Sequence, residues 1–437
     1  MPDKAKASGE GGPSGRRELR VGIDARLPDG EGGGVASVVS GLAHGLSGLA
    51  DGDEEYLFLV LENHDAWLRP YLSGPCRTLS QPGESETARS LGRLRGRIAQ
   101  AAPITRAIWH RLPLRLTTVP RIPHSTGLAE VAGVDVIHFV SQSAFLTSIP
   151  SIYHPHDLQH LHLPQFFPPK VRAIRDRHYR AFADQATMVA VASTWTKRDV
   201  AARLGIPDSK ILVVPWAPPL AAVPEPTPGE AMAVARRLRL PARFLLYPAR
   251  TWPHKNHAVL IDALSLLRSR DGIDAALVFT GNPTPEAKAL HARTRRLGVD
   301  DLVTWTGFLD PVGLRAVYAL SEGVIIPSLF EAASAPLWEA WLAGKPAACS
   351  NVTSLPEQAG NAALVFDPTS VDAVADAIAK LWTASDLRNT LAQRGAQRVG
   401  AFTWDRTART FRAHYRRIAG ATVSPEDADL MAAEAGI

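Results

Sequence analysis

Short apolar runs rich in β-branched residues alternate with segments of helical periodicity from about Leu19 to about Val399. This alternation is typical of βαβ units, in which parallel strands are joined by helices. The predicted strands fall into two groups. The first group comprises Leu19–Asp24, Tyr56–Leu61, Asp135–Phe139, Pro150–His154, Thr187–Ala192 and Lys210–Val214. The second comprises Phe244–Pro248, Ala275–Thr280, Leu302–Thr306, Gly323–Pro327, Pro346–Ser350 and Ala363–Phe366.

A proline-rich segment separates the two groups, with six prolines between Pro215 and Glu230. Proline disfavours both helix interiors and central strands, so this segment is expected to be a semi-rigid linker. The pattern therefore predicts an α/β protein with two Rossmann-like, doubly wound domains that face a cleft. The expected divisions are a disordered leader (1–18), an N-terminal domain (19–220), the linker (221–239), a C-terminal domain (240–400), a helix that packs back on the first domain (401–420) and a frayed tail (421–437).

The length and composition agree with two ordinary globular domains. The chain has 437 residues, of which 46% are hydrophobic and 21% are charged. Its two cysteines exclude a disulfide framework, which favours a reducing compartment. The leader lacks the apolar stretch of a signal peptide, and no apolar run is long enough to cross a bilayer. We therefore expect a cytoplasmic protein.

The net charge of +5 is unevenly distributed. The segment from Arg89 to Arg121 contains eight arginines and no acidic residue. Such a run is compatible with a solvated surface or mobile insertion, and also with peripheral contact with an anionic membrane at its inner face. Nucleic acid is not expected as a partner, since no recognised binding motif accompanies the charge.

The first candidate site lies at a strand-to-helix junction of the second domain. The predicted strand Phe244–Pro248 leads into a loop that carries Arg250 and Lys255, and Asn256 is the expected N-cap of the following helix. A helix N-terminus favours an anion, and arginine and lysine add fixed positive charge there. The junction therefore predicts a phosphate site, although a pair of surface cations is the simpler alternative.

A pair of acidic residues follows the buried strand Gly323–Pro327. Glu331 lies on the loop, and Glu339 is expected in the first turn of a short helix from about Pro336 to Ala343. Carboxylates at the carboxyl end of a sheet can accept hydrogen bonds from sugar or ribose hydroxyls. Taken singly, each has an ordinary explanation, as a loop acid in water or a helix-dipole acid. Together with the cationic junction, they predict a ligand site.

Four segments in order resemble retaining glycosyltransferase family 4, which has the GT-B architecture. The segment from Phe330 to Pro368, FEAASAPLWEAWLAGKPAACSNVTSLPEQAGNAALVFDP, resembles the family's E-x7-E block. YPARTWPHKN resembles its Arg…Lys phosphate motif, SIYHPHDLQHLHLPQFF its His-Asp motif, and GEGGGVASVV its first glycine loop. Two departures are Ala332–Ala335, where the family usually carries glycines, and Pro215–Pro218 in place of a Pro-Asn-Gly turn.

The resemblance implies a donor site for a nucleotide diphosphate sugar in the second domain. Arg250 and Lys255 would bind the diphosphate and stabilise it as it leaves. Glu339 would hold ribose hydroxyls, and Glu331 would contact hydroxyls of the transferred sugar. The backbone N–H groups around Ser334 and Ala335 would assist Glu331.

The first domain would complete the site on the acceptor side. By the same resemblance, His156 would lie beside the anomeric centre, while Gly33 and Gly34 would let the backbone approach phosphates or acceptor. The acceptor would be a saccharide or a lipid-linked saccharide. The implied activity is transfer of a hexose-type sugar with retention of configuration, in the manner of mannosyltransferases, for polysaccharide, glycolipid or glycoconjugate synthesis.

No cofactor or metal ion is expected, because fixed cations and a helix N-terminus can stabilise the leaving diphosphate. The histidines at 154, 156, 160 and 162 could be metal ligands, but no third ligand is clearly arranged with them. The pairs Asp51/Asp53 and Asp427/Asp429 are interpreted as a surface turn and part of the frayed tail.

Three other readings remain. The chain could be an inactive nucleotide-sugar-binding regulatory subunit, or a nucleotide-sugar epimerase of the same architecture. A dinucleotide-dependent dehydrogenase is disfavoured, because Val35 stands where G-x-G-x-x-G requires its last glycine.

Overall fold

The computed structural model describes residues 18–27, 33–81 and 121–433, which form two α/β domains, each on one parallel sheet. The first sheet has the order β3-β2-β1-β4-β5-β6-β7 and the second β10-β9-β8-β11-β12-β13. The strands of the first sheet are β1 Leu19–Asp24, β2 Glu54–Leu61, β3 Cys76–Gln81, β4 Val136–Phe139, β5 Ser151–Tyr153, β6 Met188–Val191 and β7 Ile211–Val213. Those of the second are β8 Leu245–Pro248, β9 Leu277–Thr280, β10 Val303–Gly307, β11 Gly323–Ile326, β12 Ala347–Ser350 and β13 Ala363–Phe366.

Helices connect the strands in both domains. Those of the N-terminal half are α1 Gly33–Ser47, α2 Leu128–Val131, α3 Gln159–His162, α4 Pro169–Gln185 and α5 Thr194–Leu204. The C-terminal half has α6 Pro228–Leu238, α7 His257–Asp271, α8 Ala287–Leu297, α9 Pro311–Leu320, α10 Ala335–Leu342, α11 Leu355–Ala359, α12 Val371–Thr383, α13 Ser385–Val399, α14 Trp404–Ala419 and α15 Pro425–Ala432.

The fold class predicted from the sequence is confirmed. In each sheet the strand order reverses direction next to the first strand, between β1 and β4 and between β8 and β11, which is the doubly wound pattern. All twelve predicted strands are present. The missed strand, β3, lies at the edge of the first sheet, and only Cys76 in it is buried. An edge strand with exposed polar residues has no apolar run to reveal it.

The proline-rich segment is not all linker. Residues 221–239, expected to be a linker, contain helix α6, which packs against α9 of the C-terminal domain. Thr227 is its N-cap and accepts from the backbone N–H of Glu230, while a Glu230 carboxylate oxygen accepts from the N–H of Thr227 at 2.8 Å. Pro228 occupies the first helical position, where a missing N–H costs nothing. The proline that was taken as a helix breaker therefore begins a helix.

Helix α14 packs against the N-terminal domain, mainly on α1. Trp404, Phe411 and Tyr415 lie in the same buried cluster as the β1 side chains. The Trp404 indole N–H donates to the carbonyl oxygen of Pro218 at 3.0 Å, which ties this helix to the crossing between the domains. Gly41 of α1 is required here, because a Cβ at this position would overlap the indole ring.

The described part of the expected frayed tail, up to residue 433, contains a helix. Helix α15 has a capping box at Ser424 and packs against α14. Asp427 is buried and forms an ion pair with Arg416 at 2.9 Å, and Arg416 also contacts Glu54 at 2.7 Å. Asp51, taken as part of a surface turn, pairs with Arg412 at 2.5 Å. These bridges between α14 and the N-terminal domain are not apparent in the sequence, since their partners lie more than 350 positions apart.

Three expectations from the sequence concern residues that lie outside the ranges described by the structure. They are the leader at 1–18 (apart from Glu18), the arginine-rich segment 89–121 (apart from Arg121) and the last part of the tail, 434–437. Among residues 18–27, 33–81 and 121–433, no helix has the length and apolarity needed to cross a bilayer.

Replacing Gly41 with alanine should destabilise the N-terminal domain. The added Cβ must displace the Trp404 indole, and overpacking of this kind costs about 1–3 kcal/mol. Chemical denaturation followed by tryptophan fluorescence measures the free energy of unfolding. Gly48→Ala is the matched control, because a Cβ there makes only an ordinary contact at 3.5 Å. Equal stability of the two variants would contradict the packing of α14 described above.

Candidate functional site

A cleft of about 500 Å³ lies where the carboxyl ends of the two sheets face each other. Its walls include residues that follow β5 in the first domain and residues that follow β8, β9 and β11 in the second. The cleft brings together nearly all the side chains singled out in the sequence. His156, Arg250, Lys255, Glu331, Glu339, Gly33, Gly34 and Ala335 all line it, whereas Ser334 does not.

Lys255 and Glu331 form an ion pair, with 2.5 Å between Nζ and Oε1. Their side chains are only 21% and 9% exposed, so each charge needs the other. The same carboxylate oxygen accepts from the Ser328 hydroxyl at 2.6 Å, and Ser328 contacts the Tyr247 hydroxyl at 3.1 Å. The family resemblance assigned Lys255 to the diphosphate of the donor and Glu331 to the transferred sugar. The structure shows that the two charges satisfy each other.

The loop after Glu331 is held by a second segment. The Thr353 and Ser354 hydroxyls both donate to the backbone carbonyl of Glu331, the latter at 2.8 Å. The Gln358 amide accepts from the backbone N–H of Ser334 and donates to its carbonyl, both at 2.8 Å. None of the residues 332–335 has a positive φ, so the absence of glycine causes no backbone strain.

Arg250 is exposed to the cleft, with its guanidinium 5.1 Å from the centre of the Trp252 indole. The glycine at 281, with φ of +113°, allows the loop after β9 to approach the backbone of Ala249 and Arg250. A Cβ at position 281 would come within 3.0 Å of the Arg250 backbone nitrogen. Within the described part of the chain, no carboxylate forms an ion pair with Arg250, so its charge is available to an anion.

Asn256 precedes helix α7 but is not a side-chain cap, contrary to the sequence prediction. It adopts a left-handed conformation with φ of 56°. Its side-chain amide donates instead to the carbonyls of Pro327 and Pro368, at 3.2 and 2.9 Å. Asn256 thus ties the cationic loop to the strand that leads to Glu331, and leaves the first N–H groups of α7 without a side-chain cap.

Glu339 lies deeper in the helix than predicted. Helix α10 begins at Ala335, so Glu339 is its fifth residue and not part of its first turn. The carboxyl group is 6% exposed and accepts from the Tyr318 hydroxyl at 2.7 Å. Burial raises the pKa of Glu339 to about 7, while the hydrogen bond from Tyr318 acts in the opposite direction. A buried carboxyl with one satisfied oxygen can accept hydrogen bonds from a ligand with its other oxygen.

His156 has an unusual backbone, with φ of 58°. Its Nε2 lies 2.7 Å from the carbonyl oxygen of Val140 and must donate to it, since a carbonyl only accepts. Burial lowers the pKa of His156 to about 4, so the ring is neutral and Nδ1 carries the lone pair. The ring packs edge-on against Trp216 at 5.0 Å. His156 is therefore built to accept a hydrogen bond at Nδ1.

The other histidines of the cluster are part of the packing. His154 stacks on His138 with 4.9 Å between ring centres, and His138 Nδ1 lies 2.6 Å from the Tyr415 hydroxyl of α14. His162 pairs with Asp199 at 2.8 Å. Among the residues that the structure describes, no group of three or more His, Cys, Asp or Glu side chains is arranged to hold a metal ion.

Gly33 and Gly34 begin helix α1 at the edge of the cleft. Gly33 has φ of +48°, and a Cβ at either position would have no atom of the described residues within 4 Å. Glycine at 33 is therefore explained by its backbone conformation and not by protein packing. Among the residues that the structure describes, none fills the space beside Gly33 and Gly34, which line the cleft.

Several residues that complete the site were missed in the sequence. Tyr247 and Tyr318 lie on the apolar elements β8 and α9, and Ser328 follows the apolar strand β11, so all three have the pattern of core residues in the sequence. Thr353, Ser354 and Gln358 lie in a loop and short helix some twenty residues beyond Glu331. A signal existed for the tyrosines, because a tyrosine in a buried apolar element normally requires a hydrogen-bond partner for its hydroxyl. For the others, only tertiary structure reveals the role.

The two domains match two glycosyltransferase family models in succession. Residues 32–217 match the model described as Glycosyltransferase Family 4, and residues 233–398 match Glycosyl transferases group 1. The chain is 26% identical to O-antigen chain mannosyltransferase B of Escherichia coli over 59% of this chain and 68% of that one. It is 31% identical to D-inositol 3-phosphate glycosyltransferase of Actinosynnema mirum over 56% of this chain, and spans 60% of that relative's length.

Solved structures show the same fold. The crystal structure of Anabaena HepE in complex with UDP and glucose superposes with a TM-score of 0.66 over 91% of this chain and 100% of that one, at 18% identity. The doubly wound pair of sheets, the cleft between them and the two matched domains agree with one another. The chain therefore belongs to the glycosyltransferases of the GT-B architecture.

Proposed function

We propose that the protein transfers a hexose from a nucleotide diphosphate sugar to an acceptor hydroxyl, with retention of anomeric configuration, as a member of family 4. The observation that carries the proposal is the convergence of two cations and two carboxyl groups in one cleft, Arg250 and Lys255 with Glu331 and Glu339. The E. coli relative's name, a mannosyltransferase that acts on the O-antigen chain, makes mannose the first sugar to test and a saccharide chain the first acceptor class.

The donor would lie along the second domain. Arg250 is open to the cleft and Lys255 lies deeper, so the diphosphate can bridge them near the start of α7. Glu339, with one oxygen bound by Tyr318, would accept from ribose hydroxyls. Glu331 would accept from hydroxyls of the transferred sugar, while Lys255 stays within reach of both the carboxylate and the phosphate.

The chemistry follows from where the charge develops. The bond between C1 and the phosphate oxygen breaks, the bond between C1 and the acceptor oxygen forms on the same face, and the acceptor proton passes to the departing phosphate. Fixed cations stabilise the leaving diphosphate without reorganisation. We propose that they replace a divalent ion, so that activity does not depend on added metal. His156 Nδ1, neutral and unprotonated, would accept from a sugar hydroxyl near C1.

A panel of UDP-, GDP-, ADP- and TDP-sugars tests the donor class by thermal shift. A true donor at about 100 times its Kd should add roughly 2.7 kcal/mol to the free energy of unfolding. Lys255→Ala should abolish the shift. Absence of stabilisation by every sugar nucleotide would contradict the donor assignment.

Turnover distinguishes a transferase from other nucleotide-sugar proteins. Glu331→Gln should lower kcat by about 100-fold, the usual effect of removing one polar contact to the reacting group. Because it leaves Lys255 unpaired, it should also lower the free energy of unfolding by several kcal/mol, so turnover is measured at a temperature at which the variant is folded. NMR of the wild-type product should show retained configuration, in the presence of EDTA. Slow acceptor-free hydrolysis supports an active transferase, release of the epimeric donor supports an epimerase, and binding without any turnover supports a regulatory subunit. Either of the last two outcomes contradicts the proposal.

Donor affinity should depend on pH through Glu339. Ribose hydroxyls bind the ionised carboxylate, and the pKa of this group in the free protein is about 7. Affinity for a nucleotide sugar should therefore rise from pH 6 to pH 8, with release of a proton on binding at pH 6.5. The diphosphodiester of the donor does not titrate in this range, and burial keeps the pKa of His156 near 4.

Calorimetry in two buffers of different ionisation enthalpy measures the proton release. Glu339→Gln should weaken binding and remove its pH dependence. The part of the free energy of unfolding that Glu339 contributes, measured as the difference between wild type and Glu339→Gln, should fall as pH rises from about 4.5 to 7, because a raised carboxyl pKa means that the folded state binds the proton more tightly. Buried histidines with lowered pKa values, such as His156 and His414, act in the opposite direction in both proteins and cancel in the difference. A donor affinity independent of pH would contradict the role of Glu339.

A further inference from the structure

A carboxylate of the C-terminal domain caps a helix of the N-terminal domain. Glu357, on the short helix α11, accepts from the backbone N–H of Thr194 at 2.7 Å and from that of Trp195 at 2.8 Å. These are the first two N–H groups of α5, which have no partner within their own helix. The Ser193 hydroxyl accepts from the third, that of Thr196, at 3.2 Å. Glu357 thus completes a cap that the N-terminal domain leaves unfinished.

The N-terminal end of α5 also forms hydrogen bonds with the loop that carries Glu331. The hydroxyls of Ser193 and Thr196 both donate to the backbone carbonyl of Ala332, at 2.8 and 3.2 Å. Ala332 directly follows Glu331, and both hydroxyls are fully buried. Beside them, Phe330 packs edge-on against Trp195, with 5.7 Å between ring centres. The contact is therefore made on the residues that flank Glu331.

Helix α11 and the turn before it connect these two contacts. Ser354 holds the Glu331 carbonyl and Gln358 holds the Ser334 backbone, as described above. Glu357 lies between them in the sequence and reaches in the other direction, to the N-terminal domain. The segment 354–358 therefore holds the loop that carries Glu331 and also connects the C-terminal domain to the N-terminal domain.

We propose that Glu357 is a positioning residue that latches the domains in the arrangement used for sugar transfer. When the domains meet, its carboxylate occupies the N-terminus of α5, and the hydroxyls of that helix fix the Glu331 loop. When the domains separate, the carboxylate and the two N–H groups return to water and the loop loses its contacts at Ala332. The catalytic part of this proposal rests on the proposed function, whereas the latch itself does not.

Two variants test the latch from its two sides. Glu357→Gln removes the charge and leaves one acceptor oxygen for two N–H groups. Thr194→Pro removes the N–H that donates at 2.7 Å while keeping the helix, because proline is favoured at the first helical position. The preceding Ser193 is extended, with φ of −149° and ψ of 155°, which is the conformation that a following proline requires.

Glu230→Gln is the matched control. Glu230 also completes a helix cap with its carboxylate, in the capping box of α6, but both partners lie in the C-terminal domain. The control therefore removes a capping glutamate without touching the contact between domains.

Spin labels on the full chain report the distance between the domains. Ser209→Cys and Ser385→Cys place labels on exposed positions of the two domains, and the native cysteines are buried. The latch predicts that Glu357→Gln and Thr194→Pro each shift the distance distribution towards longer, broader distances, and Glu230→Gln does not. Combining the two variants should add little, because both act on one contact.

Kinetics on the same variants tests the positioning role. Both latch variants should lower kcat about tenfold, the scale of one lost hydrogen bond to a charged group. The Kd for the donor should change less than twofold, since the groups proposed to bind its diphosphate and ribose lie in the C-terminal domain. Unchanged distances together with a kcat equal to that of Glu230→Gln would overturn the proposal. If the wild-type chain transfers no sugar, the proposed function fails, and the distance measurement still decides the latch.

Discussion

The ion pair between Lys255 and Glu331 is the interaction on which the cleft depends. Both side chains are largely buried, and leaving either charge alone in this position would cost several kcal/mol. The Ser328 hydroxyl donates to the paired oxygen of Glu331, and the Tyr247 hydroxyl donates to the backbone carbonyl of Lys255. The pair joins the loops that follow β8 and β11, which are neighbouring strands in the sheet. It therefore sets the separation between the proposed phosphate-binding and sugar-binding parts of the site.

The two carboxyl groups of the site differ in environment and are expected to differ in role. Glu331 has a cation within 2.5 Å, whereas Glu339 has only a neutral tyrosine hydroxyl. Desolvation without a cation accounts for the raised pKa of Glu339. A carboxyl with a pKa of about 7 is partly protonated near neutral pH, which reduces the cost of burying a second negative charge in the cleft. A ligand that supplies hydroxyl donors would restore the charge, which couples binding to proton release.

The sequence predicted the layered fold well, because buried parallel strands are continuous apolar runs whatever surrounds them. It failed where structure depends on partners distant in the chain. β3 has too few buried residues to show a pattern, and α15 is held to α14 by the ion pair between Asp427 and Arg416. The prolines before α6 were interpreted as interrupting helices, but proline is also favoured at the first position of a helix, which Pro228 occupies.

The sequence predicted in outline that the candidate residues would lie together, and the structure brings them into one cleft. The junction rule for parallel sheets located Arg250, Lys255, Glu331 and Glu339 at one edge. It could not show that Lys255 and Glu331 pair, that Asn256 ties two loops together, or that Glu357 spans the domains, because each contact joins segments far apart in sequence. The position of a residue after a predicted strand indicates that it lies at a cleft. Its hydrogen-bond partners are apparent only in the folded structure.

A crystal structure of the protein with its nucleotide sugar, or with a non-transferable analogue, tests the central claim most directly. The diphosphate should lie within hydrogen-bond distance of Arg250 and Lys255, with the ribose hydroxyls on Glu339 and the sugar hydroxyls on Glu331. A diphosphate bound elsewhere in the cleft, with the Lys255–Glu331 pair closed to it, would contradict the account.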